Sequence, residues 1–242
     1  MSSGKYSAIS GAMGRMEKLN SISEQLAALK TPGYKKGITT FAARLGEANS
    51  GMASKATNYT RLTSPEVDFS MGPIEYSGDP LDVAINGEGF FKIKLPDDSF
   101  GYARKGNFQL NGDGQLIDTN GYPVLGQDGK EIILPDPDVE IMTDGTIWNG
   151  EQEVGKVGIF KFADTSVLRK QGGEVFVPQD DSQPVLEPNP VLLQKNLEGA
   201  NVNMMKTMAE MTSNLRAFEA TQKALKIYSD MDSKASDIGQ IQ

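Results

Sequence analysis

Residues 201–229 read NVNMMKTMAEMTSNLRAFEATQKALKIYS. Met204, Met208, Met211, Leu215, Phe218, Gln222 and Leu225 advance by four and three residues in turn, a heptad seam interrupted once by Gln222. A 3.5-residue repeat holds one apolar stripe against a partner helix, so this stretch predicts a coiled-coil helix that needs something to pack on. Gln222 in such a seam costs stability but sets register. Four methionines, at 204, 205, 208 and 211, give the face side chains that repack easily against dissimilar neighbours.

A partner for the seam lies at the other end of the chain. Residues 3–29 predict a second helix, with Ala12, Met16, Leu19, Ile22 or Ser23, Leu26 and Leu29 on one stripe and Ile9 and Met13 beside it. Gly4, Gly11 and Gly14 each cost up to about 1 kcal/mol inside a helix, so its first half is expected to be disordered unless packed. Thr31-Pro32-Gly33 ends it, because Pro32 drives Thr31 out of the helical region and Gly33 supplies the turn. An antiparallel or staggered pair of these two helices leaves much apolar surface wet, which predicts further subunits over it.

Between the helices the pattern changes twice. Residues 34–75 carry weak signals broken by Gly and Ser and read as an extended linker, with Phe41, Tyr59, Leu62, Val67 and Phe69 as its anchors. Residues 76–200 hold short β-prone runs from Leu81–Ile85 to Glu174–Val177. They are separated by Asn86-Gly87, Asn111-Gly112, Asp113-Gly114, Asn120-Gly121, Asp128-Gly129 and Asp144-Gly145. Such pairs enter left-handed turns at least cost, and many strands without helical periodicity predict an all-β domain. Asp164–Leu168 reads as one helical turn, and Pro184, Pro188 and Pro190 as a stiff, extended exit. Asn201 or Asn203 is placed to cap the last helix. The expected fold is α+β: a terminal helical domain from 1–33 and 201–242, a linker over 34–75, and a β domain over 76–200.

Composition removes several function classes. The 242 residues contain no Cys and no His, so thiolate sites, disulfides and histidine-based catalysis or metal binding are excluded. The Asp- and Gly-rich turns fit neither a calcium loop nor a phosphate-binding fingerprint. Glu75, Asp79 and Asp82 are the acids to consider for a glycosidase pair, and nothing distinguishes them from solvated turn residues. No catalytic, cofactor or metal residue is expected. Net charge is −8, made of +4 over residues 1–40, zero over 203–242 and about −12 in the middle. That acidity argues against nucleic acid as a partner. No run is apolar enough for a transmembrane helix or for the core of a cleaved signal peptide.

Five stretches, taken in order, are similar to the signatures of the flagellar basal-body rod and hook proteins. Residues 20–35, NSISEQLAALKTPGYK, resemble "NN-LAN-NTxGFK" through Pro32, Gly33 and Tyr34. Residues 78–91, GDPLDVAINGEGFF, resemble "LDLAIxGxGFF" through Asn86, Gly87, Gly89, Phe90 and Phe91. Residues 102–126 resemble "YTRxGxFxxxxxGxLxxxxGxxxxG" through Arg104, Gly106, Phe108, Gly114, Leu116 and Gly121. LEGANV at 197–202 is similar to "LExSNV", with Asn201 and Val202, and RAFEA at 216–220 to "RxYEAN".

The resemblance implies an axial protein of the bacterial flagellum, exported by the flagellum's own type III apparatus without a cleaved signal. It also implies helical stacking, with the terminal helices as an inner tube and the β domain outside. Its partners would be copies of itself, other rod and hook-family proteins and the export apparatus, with no small-molecule substrate. Subunit packing is then expected at Met16, Leu19, Leu26, Leu29, Met204, Met208, Met211, Leu215, Phe218 and Leu225. The length resembles rod members, and KKGITTF after Tyr34 lacks the "FxDLLYQ" of the distal-rod member, which points to the proximal rod. The alternative is a soluble homodimeric scaffold or binding module with a terminal coiled coil.

Overall fold

The computed structural model of the chain describes residues 2–38, 41–45, 58–62, 66–179 and 182–239. Two helices stand at the ends, α1 (Ser2–Ala27) and α2 (Met204–Gly239). Strands β1–β4 are Gly37–Ile38, Phe41–Leu45, Asn58–Leu62 and Glu66–Val67. Strands β5–β10 are Ile74–Tyr76, Val83–Ile85, Phe90–Lys94, Phe100–Ala103, Gln109–Leu110 and Leu116–Ile117. Strands β11–β14 are Glu140–Ile141, Thr146–Asn149, Gln152–Lys156 and Ile159–Lys161. Strands β15–β19 are Leu168–Gly172, Val175–Pro178, Val185–Leu186, Leu192–Gln194 and Asn196–Glu198. A β-rich centre between terminal helices that pack on one another is the α+β fold the sequence pattern predicts.

The chain forms two compact units, one of residues 1–27, 37–66 and 203–242, the other of residues 28–36 and 67–202. In the first, α1 packs along α2 and against β3, which pairs antiparallel with β2. The side chains of Phe41, Tyr59 and Leu62, expected as anchors, lie outside the described part. Asn203 caps α2, its Oδ1 accepting the Lys206 amide at 3.0 Å, and Asn201 is used elsewhere.

The second unit is built on a six-stranded antiparallel sheet ordered β15-β16-β8-β7-β14-β17. Neighbouring residues on a strand point to opposite faces, and here both faces are covered. Phe91, Ile159 and Val175 enter a large core with Ile85, Phe108, Leu116, Leu134, Ile147 and Leu192. Phe90, Phe160 and Phe176 enter an aromatic cluster with Tyr102, Leu168 and the partly buried Phe69 and Phe162. Phe69 meets Phe90 and Phe176 edge-on at 5.3 and 5.0 Å, the arrangement aromatic quadrupoles favour.

The turns follow the expected chemistry. Asp118, Asp128 and Asp144 each accept the amide two residues on, and Asn111 does the same for Asp113. Much of the acidity of this unit is therefore turn chemistry. Asp164 begins a single 3-10 turn at Thr165–Val167 by the same device. The proline-rich exit contains more structure than its sequence suggests. β17, β18 and β19 form there because Pro184, Pro188 and Pro190 fall between the strands and interrupt no ladder.

Candidate functional site

Two arrangements draw the signature residues together. The first lies in the second unit, around the turn that follows α1. Pro32 and Gly33 reverse the chain, and Gly33 takes φ +67° with its α-carbon against the backbone of Arg104 and Lys105. A side chain there would be strained and would also collide with that backbone. Gly106 is fixed by contact alone, since a β-carbon would run into the carbonyl oxygen of Val83. Tyr34 is buried, with the Lys170 ammonium 4.6 Å above its ring.

This turn delivers Lys35 into the interior, where its side chain is fully enclosed. Lys35 Nζ donates to Glu198 Oε1 at 2.6 Å and to the Ser70 carbonyl at 2.7 Å. Glu198 Oε1 also accepts the Gly72 amide at 2.8 Å, and Oε2 meets Arg104 Nη1 at 3.3 Å. Arg104 Nη2 donates to the Gly87 carbonyl at 2.6 Å, while its Nε has no partner. Two cations therefore share one buried carboxylate. Burial lowers the pKa of Lys35, and Glu198 opposes that shift. Burial lowers Arg104 in the same way, against Glu198 and Glu88.

Asn201 stitches the same region through its backbone and side chain. Its Oδ1 accepts the Lys36 amide at 2.8 Å, and its Nδ2 donates to the Asp68 carbonyl at 2.7 Å. Gly33 donates to the Glu198 carbonyl at 2.7 Å, and Gly199 to that of Pro73 at 2.7 Å. Lys36 pairs with Asp68 at 3.1 Å. Burial pushes the Asp68 carboxyl up, but bonds from Ser70 and Lys36 outweigh it and leave it below its ordinary value. The signature residues Pro32, Gly33, Tyr34, Arg104 and Asn201 thus meet in one hub. Lys35 and Glu198, which complete it, were inside the quoted motifs but were not singled out. A charged side chain carries no local mark of burial, and partners 163 and 94 residues apart in the chain explain it here.

The other signature positions are scaffold. Phe90 and Phe91 fill the two faces of β7, and Phe108 and Leu116 are buried in the large core. Gly87, Gly89, Gly114 and Gly121 take positive φ at turns, beside the exposed Asn86. Val202 is half-buried. Of the acids considered for hydrolysis, Glu75 and Asp79 are exposed. Asp82 is the buried one, and its carboxyl is pushed up by that burial.

The second arrangement is the paired helices. The side of α2 turned inward carries Thr207 and Asn214, both buried, with Met211, Phe218, Thr221 and Leu225 half-buried. This stripe also steps by four and three, and it shares Met211, Phe218 and Leu225 with the predicted seam. The remaining seam residues, Met204, Met208, Leu215 and Gln222, are exposed. Asn214 Nδ2 donates 2.9 Å to the Arg15 carbonyl, tying α2 to α1. On α1, Leu19 and Leu26 are half-buried and Ile22 is buried, while Leu29 lies beyond the helix in the 3-10 turn Ala28–Lys30 and is half-buried there. Met13 and Met16 are 68% and 55% exposed, which leaves methionine-rich apolar surface on both helices.

Comparison with known proteins places two family models on the chain. "Flagellar hook protein FlgE/F/G D1 domain" matches residues 84–149, and "Flagellar basal body rod FlgEFG protein C-terminal" matches residues 193–238. The chain is 28% identical to the flagellar basal-body rod protein FlgF of Escherichia coli K12, over 96% of both sequences. It is 29% identical to the rod protein FlgG of Bacillus subtilis 168, over 91% of this chain and 92% of that one. It is also 29% identical to FlgG of Buchnera aphidicola from Schizaphis graminum, over 91% and 93%.

Proposed function

We propose that the chain is a member of the flagellar basal-body rod and hook axial protein family, with a structural and not an enzymatic role, and that it polymerises in the rod, the shaft that carries motor torque through the periplasm. The observation that carries the reading is the methionine-rich face left open on α1 and α2. Isolated apolar residues on a surface need no explanation, but a row of them along a helix pair marks a packing surface. Met13, Met16, Met204, Met205, Met208 and Leu215 form the exposed set. Methionine suits a helical assembly, in which one side chain meets neighbours that are not identical.

In this reading the helix pair lines the tube and the β unit lies outside it, with copies of the chain and other axial proteins as partners. Export proceeds through the flagellar type III apparatus. Charge supports such a division, since the β unit carries 13 basic against 23 acidic side chains and the helical unit 11 against 9. Like charge on the outer layer opposes unspecific adhesion, while the near-neutral helices are free to associate. We assign the chain to the proximal rod, as an FlgF-type member, on the absence of an "FxDLLYQ" pattern after Tyr34.

Deletion of the gene is expected to abolish swimming and leave basal bodies without a complete rod in electron micrographs. Complementation with Met208→Glu, which charges the open face, should fail although the purified variant keeps the wild-type circular dichroism spectrum. Normal rods in the deletion strain would overturn the proposal. A wild-type chain that is a concentration-independent dimer by light scattering would favour the scaffold alternative instead.

A further inference from the structure

Glu198 is the only carboxylate in contact with the two buried cations Lys35 and Arg104 among the described ion pairs, and it lies 163 and 94 residues after them in the chain. Until residue 198 is in place, burying either cation leaves a positive charge in a desolvated site with no counter-ion. The same late segment supplies more than charge. Among the described strands, β6 ladders with β18, and β5 with β19. Leu192 is enclosed in the large core, its backbone facing Ile85. Gln194 Nε2 donates to the carbonyls of Pro80 and Val139, both at 2.7 Å. Lys195 donates to the Asp82 carbonyl at 2.7 Å, and Glu198 accepts from both Gly72 and Gly33. Residues from four separated stretches, 33–35, 70–73, 80–87 and 104, are completed by the single stretch 192–199.

We propose that residues 192–201 are the closing element of the β unit and that Glu198 is its latch. The unit does not reach its closed form before residue 198 has joined. A chain delivered N-terminus first, as every ribosome delivers it, therefore stays open until residue 198 has emerged. The inference rests on the hub alone and stands whether or not the chain is a rod subunit.

Refolding of the full-length chain from denaturant, followed by pulsed hydrogen exchange, tests it. The expected result is one kinetic phase in which amides of β7, β8 and β14 gain protection together with those of Gly33, Gly72 and Gly199. Protection of the sheet in an earlier phase, while Gly33, Gly72 and Gly199 still exchange, would overturn the proposal. Glu198→Gln is expected to slow refolding roughly tenfold or more while changing the unfolding rate less, the mark of contacts made by the transition state. Replacing Lys35, Arg104 and Glu198 together by Met removes the demand for a counter-ion and is expected to recover the refolding rate. Recovery absent in a folded triple variant would show that charge is not the latch. Should the substituted chains fail to fold, the exchange order in the wild-type chain decides alone.

Discussion

Asp144 shows how single residues set the conditions under which this fold persists. Its carboxylate accepts the Thr146 amide and hydroxyl at 3.1 and 2.9 Å and pairs with Lys156 at 3.1 Å. These bonds, the backbone one foremost, lower its pKa from an ordinary 3.8 to about 2. A carboxyl with a depressed folded-state pKa contributes stability above its unfolded value and loses it as pH falls through the folded one. The stability gap between the wild-type chain and Asp144→Asn is therefore expected to be full above about pH 4 and to close toward pH 2. Denaturant midpoints of the two chains, measured at pH steps between 6 and 2, check this. A gap that stays constant over that range would rule out the carboxylate charge as its cause. The turn itself was legible, because Asp144-Gly145 announces a left-handed turn. The Lys156 pairing was not, since it depends on how β12 and β13 align.

At the scale of elements, the helix pair separates a correct period from an ambiguous register. Residues 204–225 contain two interleaved heptad stripes, one apolar and one mixed, and both satisfy a 3.5-residue repeat. The sequence pattern singled out the apolar stripe through Met204, Met208 and Leu215. In the folded chain the mixed stripe through Thr207, Asn214 and Thr221 is turned toward α1. Buried polar residues in a seam reduce stability and select register. Asn214→Leu is accordingly expected to raise the denaturation midpoint of the helix pair while loosening its alignment. Asn214→Ala, which simply removes the bond to Arg15, is expected to cost about 1 kcal/mol. Spin labels on α1 and α2 should give a single distance in the wild-type chain and a broadened distribution in Asn214→Leu. An equally sharp distribution at the same distance would show that Asn214 does not set the register.

For the whole molecule, the two units differ sharply in what they bury. Among the described residues of the helical unit, Ile22, Thr207 and Asn214 are buried, two of them polar. The β unit encloses a large aliphatic core and an aromatic cluster around its main sheet. A glycine-weakened α1 and the thin buried face it shares with α2 hold little free energy of their own. Thermal unfolding is expected in two steps, with the helical signal at 222 nm lost at lower temperature than the fluorescence of Trp148 in β12. A single coincident transition for both probes would contradict independent units. Marginal helices suit the proposed assembly, because the wall of the tube is then ordered by its neighbours.

The sequence by itself determined the class of fold, since heptads, strand-length runs and Asn-Gly or Asp-Gly turns are local signals of 3.5- and 2-residue periods. It also carries the resemblance to the rod and hook proteins, through motifs whose glycines and aromatics recur in fixed order along the chain. Tertiary structure alone decided that Lys35, Arg104 and Glu198 form one buried cluster. A charged residue carries no local mark of the partner that allows it to be buried, and here the partners are far apart in the chain. Tertiary structure likewise decided which of two overlapping heptads on α2 faces α1. Both stripes fit the helical period, and packing chose the one that pairs Asn214 with the Arg15 carbonyl and leaves the methionines open.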